Sequence, residues 1–176
     1  MAANETVTLQ PTTSYVPETK FGFIENFEDN TPRAFIVNLS GDTEISRTQD
    51  DVFEGSYSGS FTLNKTDRPV VEFSTFTTFS GLQAISPYVY LEVNYKSAAP
   101  VAWGIVGETD PITGIERYFD PGFTPRDDWN KIYFDLSKLV NDSQLDEFQI
   151  AFQAFLIQES PDTARVLLDN IKLVHF

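Results

Sequence analysis

Tyr88-Val89-Tyr90-Leu91-Glu92-Val93-Asn94-Tyr95 is the stretch on which the fold turns. Val89, Leu91, Val93 and Tyr95 share one phase, while Tyr88, Tyr90, Glu92 and Asn94 share the other. Successive side chains of a strand point to opposite sides of the pleat, so this period-two pattern marks a strand with one face in a core. The same reading extends outward. In 147–157, Phe148, Ile150, Phe152, Ala154 and Leu156 face inward, with Gln149, Ala151 and Gln153 outward. In 130–136, Ile132, Phe134 and Leu136 oppose Lys131, Tyr133 and Asp135. Residues 57–63 alternate small polar with apolar side chains.

Further strands are expected over 21–27, 34–39, 69–79, 101–106, 115–119 and 164–176, bounded by turn-forming clusters such as Asp29-Asn30-Thr31-Pro32 and Ser40-Gly41-Asp42. Thr109-Asp110-Pro111-Ile112-Thr113-Gly114 reads as a hairpin turn. In the last strand the apolar series Val166, Leu168 resumes one residue late at Ile171, Leu173, so a β-bulge is expected at Asp169-Asn170. Helix is scarce: 137–141 and 143–148 each suit a single turn opening on a serine. About ten short strands without βα alternation predict an all-β chain, an antiparallel sandwich or barrel. Residues 1–20, rich in Thr and Pro, read as a flexible arm or linker in which Tyr15-Val16 suits an edge strand, and 21–176 as one β-sandwich domain.

Composition removes several functional classes. The 176 residues carry 26 Asp+Glu against 12 Lys+Arg, a net charge of −14, with no cysteine and one histidine. Such a surface repels phosphate backbones, so nucleic acid and anionic membranes are not expected partners. Without cysteine there are no disulfides, thiolate nucleophiles or Fe–S clusters. His175 alone supplies neither a zinc cluster nor a persuasive Ser-His-Asp triad. No apolar run approaches the roughly 20 residues of a transmembrane helix. The start, Met1-Ala2-Ala3-Asn4-Glu5, has neither a basic nor an apolar leader region, which fits a cytosolic chain or an exported one without its leader. What remains is carboxylate chemistry, or binding without chemistry.

For sugar binding the outward residues matter. Tyr88, Tyr90, Tyr133, Gln149 and Gln153 lie opposite the apolar series, and on neighbouring strands they form one aromatic and amide platform for sugar rings and hydroxyls. Trp103 joins them or packs in the core, since its neighbours Val101, Ala102, Gly104, Ile105 and Val106 are apolar or small on both faces. Trp129 is read as a plug at one end of the sandwich. Two other classes stand beside sugar binding. A structural spacer or protein-interaction domain suits the outward Phe155 and Ile157. A two-carboxylate glycosidase draws on Glu108, Asp110, Glu116, Asp120, Asp127 and Asp128, although no pair among them is marked by its setting.

Four segments, in order, carry a family resemblance: Asn26-Phe27-Glu28-Asp29; Phe53-Glu54-Gly55-Ser56-Tyr57-Ser58-Gly59-Ser60; Asp128-Trp129-Asn130-Lys131-Ile132-Tyr133-Phe134-Asp135-Leu136; and Leu168-Asp169-Asn170-Ile171-Lys172-Leu173. Over 21–176 the chain resembles non-catalytic carbohydrate-binding modules of the jelly-roll, galactose-binding-like kind. It is also similar to surface lipoprotein domains of polysaccharide-degrading bacteria. The resemblance implies an antiparallel jelly-roll sandwich, an oligo- or polysaccharide partner with neighbouring domains or surface proteins beside it, and an extracellular or cell-surface setting. It also implies a structural calcium held by Glu28, Asp169 and backbone carbonyls near Glu54 and Ser58. A hard cation of that size takes six to eight oxygens. The alternative is that Glu28 and Asp169 cap turns.

Overall fold

A computed structural model describes residues 20–30, 35–37, 45–80, 88–110, 114–143 and 145–175. Among them are twelve strands and one helix: β1 (Lys20–Glu25), β2 (Phe35–Val37), β3 (Ser46–Thr48), β4 (Ser58–Asn64), β5 (Val70–Thr75), β6 (Phe79–Ser80), β7 (Val89–Ser97), β8 (Val101–Asp110), β9 (Gly114–Phe123), β10 (Arg126–Asp135), α1 (Leu136–Ser143), β11 (Glu147–Phe155) and β12 (Thr163–His175). All pairings are antiparallel. Sheet one runs β10-β7-β12-β4-β3, with β1 also on β12. Sheet two runs β2-β5-β11-β8-β9, with β6 on β11. The chain is the all-β antiparallel sandwich that its alternation predicts.

The inward series of the two sheets make one core. Aromatic pairs cross between the sheets at three levels: Tyr95 on Phe123 with ring centroids 4.0 Å apart, Trp103 on Phe134 at 4.5 Å, and Phe61 edge-on to Phe73 at 5.1 Å. Each such pair adds about 1 kcal/mol beyond the area it buries. The expected bulge is present. The β12–β7 register slips between Asp169 and Lys172, and Asn170 takes φ 45°, a left-handed conformation that asparagine tolerates better than most residues.

Three expectations need correction, and one strand is added. The segment 69–79 is two strands, β5 and β6, and Ser46–Thr48 is a strand without an alternation signal, held by its pairing to β4. Of the two expected helical turns one forms, as α1. Its N-cap is Asp135, whose Oδ1 accepts from the Lys138 N–H at 3.0 Å, and not Ser137, whose Oγ accepts from Val89 N. The second expected turn, 143–148, is replaced by the end of α1 and the start of β11. The proposed arm over 1–20 lies outside the described residues except for Lys20, and so do residues 111–113 of the β8–β9 turn, whose ends pair at Asp110 and Gly114.

Candidate functional site

The sandwich divides the residues expected to form one platform. Tyr88, Tyr90 and Tyr133 lie at or on β7 and β10 of sheet one, whereas Gln149 and Gln153 lie on β11 of sheet two. Outward faces of a sandwich point in opposite directions, so the five side chains cannot share a surface. Trp103 belongs to neither face: it is 4% exposed and stacked on Phe134, in phase with the inward Val101 and Ile105. Trp129 is not an end plug. Its Nε1 donates to Asp51 Oδ1 at 2.7 Å and its ring tilts against Phe53, on the outer face of sheet one.

The outer face of sheet two is built from Glu72 and Ser74 on β5, Gln149, Ala151 and Gln153 on β11, Gly104 on β8, and Arg117 and Phe119 on β9. Gly104 is required here: a Cβ would stand 2.0 Å from the Tyr118 carbonyl oxygen and 2.9 Å from Phe119 Cδ1. Its absence lets the Phe119 ring lie over β8. Arg117 Nε donates to Glu72 Oε1 at 3.2 Å, and Gln153 Nε2 donates to Glu72 Oε2 at 3.0 Å. β9 and β5 are three strand spacings apart, about 14 Å, and the register also offsets Arg117 from Glu72 by four residues along the strands, so the two meet along a diagonal. Two side chains close that span only because the twisted sheet coils towards this face and Gly104 and Ala151 place no bulk between them. The result is a concave trough holding a guanidinium, a carboxylate, an amide and a half-buried ring. Gln149 is a brace: its Nε2 donates to the Thr75 carbonyl at 2.6 Å and its Oε1 accepts from Ser74 Oγ.

On sheet one, loop 50–57 folds over one end of the outer face. Lys96 Nζ meets Asp51 Oδ2 at 2.7 Å, and its ammonium, helped by Trp129, holds the Asp51 carboxyl below the usual range against the opposing effect of burial. Asp169 Oδ2 accepts from the N–H groups of Phe53 and Glu54 at 3.2 and 3.1 Å, and its Oδ1 from Asn170 N at 2.7 Å. Glu28 Oε1 accepts from Ser56 N and Tyr57 N at 2.9 and 3.1 Å. Gly55, with φ 78°, has no Cβ to strike that carboxylate. Asn170 Nδ2 donates to Glu54 Oε2 at 2.7 Å.

Glu28, Glu54 and Asp169 thus surround one loop. Burial pushes Asp169 up to about 6, with the nearby Glu28 charge adding to the rise and its three N–H donors opposing it. Asn94, cross-strand from Asp169, is wholly buried, and neither its Oδ1 nor its Nδ2 has a hydrogen-bond partner among the described residues. All-oxygen donors beside an orphaned buried amide match the chemistry of a hard dication. As placed, the carboxylates face loop N–H groups instead of carbonyls, and among the described residues no three acidic or histidine side chains are grouped around a metal position.

No family model matches the chain, and no curated relative matches it. Solved structures do. A structure described as the basis for promiscuous specificity in carbohydrate-binding modules of the β-sandwich superfamily aligns with TM-score 0.57 and 16% identity, over 85% of this chain and 60% of that one. The chain therefore spans about 60% of the length of that neighbour. A family 30 carbohydrate-binding module aligns with TM-score 0.57 and 14% identity, over 78% of this chain and 76% of that one. The fold is that of the carbohydrate-binding-module sandwiches. A family 29 module mutant solved with mannohexaose aligns with TM-score 0.50 and 15% identity, over 90% of this chain and 92% of that one.

In this carbohydrate-binding-module-like sandwich, Glu72, Arg117 and Phe119 are the trough residues that sequence reasoning passed over. A signal for Glu72 was present, a lone acid between the inward Val71 and Phe73. Nothing local marked Arg117 as its partner, because the two are 45 residues apart in the chain. Of the acids considered for catalysis, Glu116 accepts from the Tyr118 hydroxyl, Asp120, Asp127 and Asp128 are exposed, and the side chains of Glu108 and Asp110 lie outside the described residues.

Proposed function

We propose that the chain binds an oligo- or polysaccharide in the trough of sheet two without cleaving it, as an extracellular or cell-surface module. The observation that carries this reading is the Arg117–Glu72 contact across three strands, with Gln153 on the same carboxylate. Sugar hydroxyls both donate and accept, and the trough offers fixed planar donors and an acceptor beside the Phe119 ring, on which a pyranose C–H face can stack. The groups hold one another before ligand arrives, so little ordering entropy is lost on binding. Solved neighbours of this fold being carbohydrate-binding modules supports the same reading.

Binding without hydrolysis is supported at the trough carboxylate itself, which Arg117 and Gln153 hold and which has no second outward acid beside it on β11. Glu72 pairs across from Gln153, and Glu147, also outward on β11, lies six residues along that strand, about 20 Å away. A glycosidase needs its two carboxyls within about 10 Å. Among the described residues no helix is long and apolar enough to cross a membrane. Affinity electrophoresis against plant and host polysaccharides, with a glycan array, tests the proposal. The wild type is expected to be retarded by at least one glycan, with at least tenfold weaker binding in Arg117→Met and in the milder Gln153→Ala. A folded wild type retained by none of them refutes it.

The calcium that the resemblance implies, held by Glu28, Asp169 and backbone carbonyls near Glu54 and Ser58, is proposed with it on the orphaned Asn94 amide opposite Asp169, and binding it requires the loop N–H groups now on both carboxylates to turn away. Binding only to the folded state raises stability, so millimolar calcium should raise the melting temperature and chelator reverse it. An unchanged midpoint removes the metal.

A further inference from the structure

The outer face of sheet one carries a second constellation, independent of the trough. Register sets Tyr133, Glu92, Lys172 and Phe23 in one row straight across β10, β7, β12 and β1. Glu92 is buried in the middle, its Oε1 2.9 Å from Lys131 Nζ and 3.2 Å from Lys172 Nζ. Neither lysine is aligned for a hydrogen bond at Oε1, so these contacts act as ion pairs, and the Tyr133 hydroxyl bonds the same carboxylate. Lys172 Nζ stands 5.2 Å from the Phe23 ring centroid. The rings at the two ends of the row are open to solvent, Phe23 at 52% and Tyr133 at 54% exposure. Two residues further along β7, opposite Lys131, is Asn94 with its unpartnered buried amide.

Two exposed rings bracket the row, three strand spacings or about 14 Å apart. Between them stand ammonium donors and a carboxylate acceptor. Short runs of linked pyranoses need this pattern, with C–H faces on the rings and hydroxyls alternating between donor and acceptor. The fixed Glu92 charge among the lysines, on a chain of net charge −14, disfavours a polyanion. We infer that this face is a second saccharide site, for a neutral glycan, so that one chain holds two glycans on opposite sides of the sandwich. The inference rests on reading the chain as glycan-binding, but not on the trough. Two sites on one rigid body raise the effective concentration at the second once the first is engaged, and so favour multi-chain polysaccharide over free oligosaccharide.

Calorimetric titration with mannohexaose, cellohexaose and xylohexaose tests it, using the wild type, Phe23→Ala/Tyr133→Ala and Arg117→Met/Gln153→Ala, each checked by thermal melt. Tyr133→Ala takes a hydrogen bond from the buried Glu92 and is expected to lower the melt, so Tyr133→Phe, which keeps the ring, and Phe23→Ala alone, at an exposed position, separate lost binding from lost stability. Two hexasaccharides per wild-type chain and one per chain in either double variant are expected, and glucomannan should be cross-linked into a precipitate by the wild type alone. One hexasaccharide per chain, lost in the Arg117/Gln153 variant and kept in the Phe23/Tyr133 variant, overturns the inference and leaves the trough standing. One per chain lost only in the Phe23/Tyr133 variant overturns the trough and the two-site arrangement while keeping this face. No binding to a folded wild type overturns both.

Discussion

Each outward face of the sandwich buries a carboxylate in its middle, Glu72 on sheet two at 1% exposure and Glu92 on sheet one at 5%, and the two are held in different ways. Glu72 is reached from three strands away by Arg117, over Gly104 and Ala151. Glu92 is held from the adjacent strands by Lys131 and Lys172. Either carboxylate without partners would carry a desolvation cost of several kcal/mol. The difference lies in the strands between. Where the middle strands present no bulk, a long side chain from the edge lies across them and the face becomes a trough. Where they carry Lys172 and Glu92 themselves, the face is a row with its aromatic ends exposed.

The largest test of that contrast is Gly104→Ala. Its methyl group would meet the Tyr118 carbonyl oxygen, and an overpacked site of this kind is expected to cost about 3 kcal/mol in urea unfolding. An unchanged midpoint would show that the trough floor is not tight. Next comes the grip on each carboxylate. Arg117→Met takes the guanidinium from Glu72 while Gln153 stays, and should cost about 2 kcal/mol, reduced from the fully buried value because Arg117 is one-third exposed. Lys131→Met leaves Glu92 still paired with Lys172, and about 1 kcal/mol is expected. Equal losses would erase the distinction between a carboxylate gripped by Arg117 from across the sheet and one gripped by two adjacent lysines.

Acid sharpens the same comparison. Burial pushes the Glu92 carboxyl up, but Lys131, Tyr133 and Lys172 outweigh it and leave the group below its ordinary value. A carboxyl depressed in the folded state stabilises fully above its unfolded pKa, about 4.3, and that contribution is lost as pH falls through the folded value. Melting temperature should therefore fall below about pH 4.3 in the wild type and fall less in Glu92→Gln, as a melt series across pH 3–7 would read. Parallel curves would contradict it. The smallest effect is Asn94→Leu, where an orphaned amide becomes apolar and a gain of about 1 kcal/mol is expected in chemical unfolding. A loss instead would show that a buried water or cation completes the partners of Asn94.

Much of the fold was legible because its signal is local. Alternation follows from the pleat of a single strand, so β7, β10, β11 and β12 were read from their own residues, and the phase slip at Asp169-Asn170 located the bulge seen as a φ of 45° at Asn170. Strand β3 was not legible, since three residues are too few to alternate and pairing to β4 holds them. At the candidate site, alternation placed Gln153 and Tyr133 outward, and both are outward. It could not tell that they point away from each other.

By itself, then, the sequence determined which residues face a core and which face out, and through charge and the lack of cysteine it favoured binding over thiol or histidine chemistry. Tertiary structure alone decided which outward residues meet. Strand partners are chosen by burial summed over the whole sandwich, so β12 pairs with β1, β4 and β7 from distant parts of the chain, and Arg117 finds Glu72 across a floor of glycine and alanine. The same packing took Trp103 from the surface into the stack with Phe134, because a residue in phase with Val101 and Ile105 gains more from burial between two sheets than from exposure.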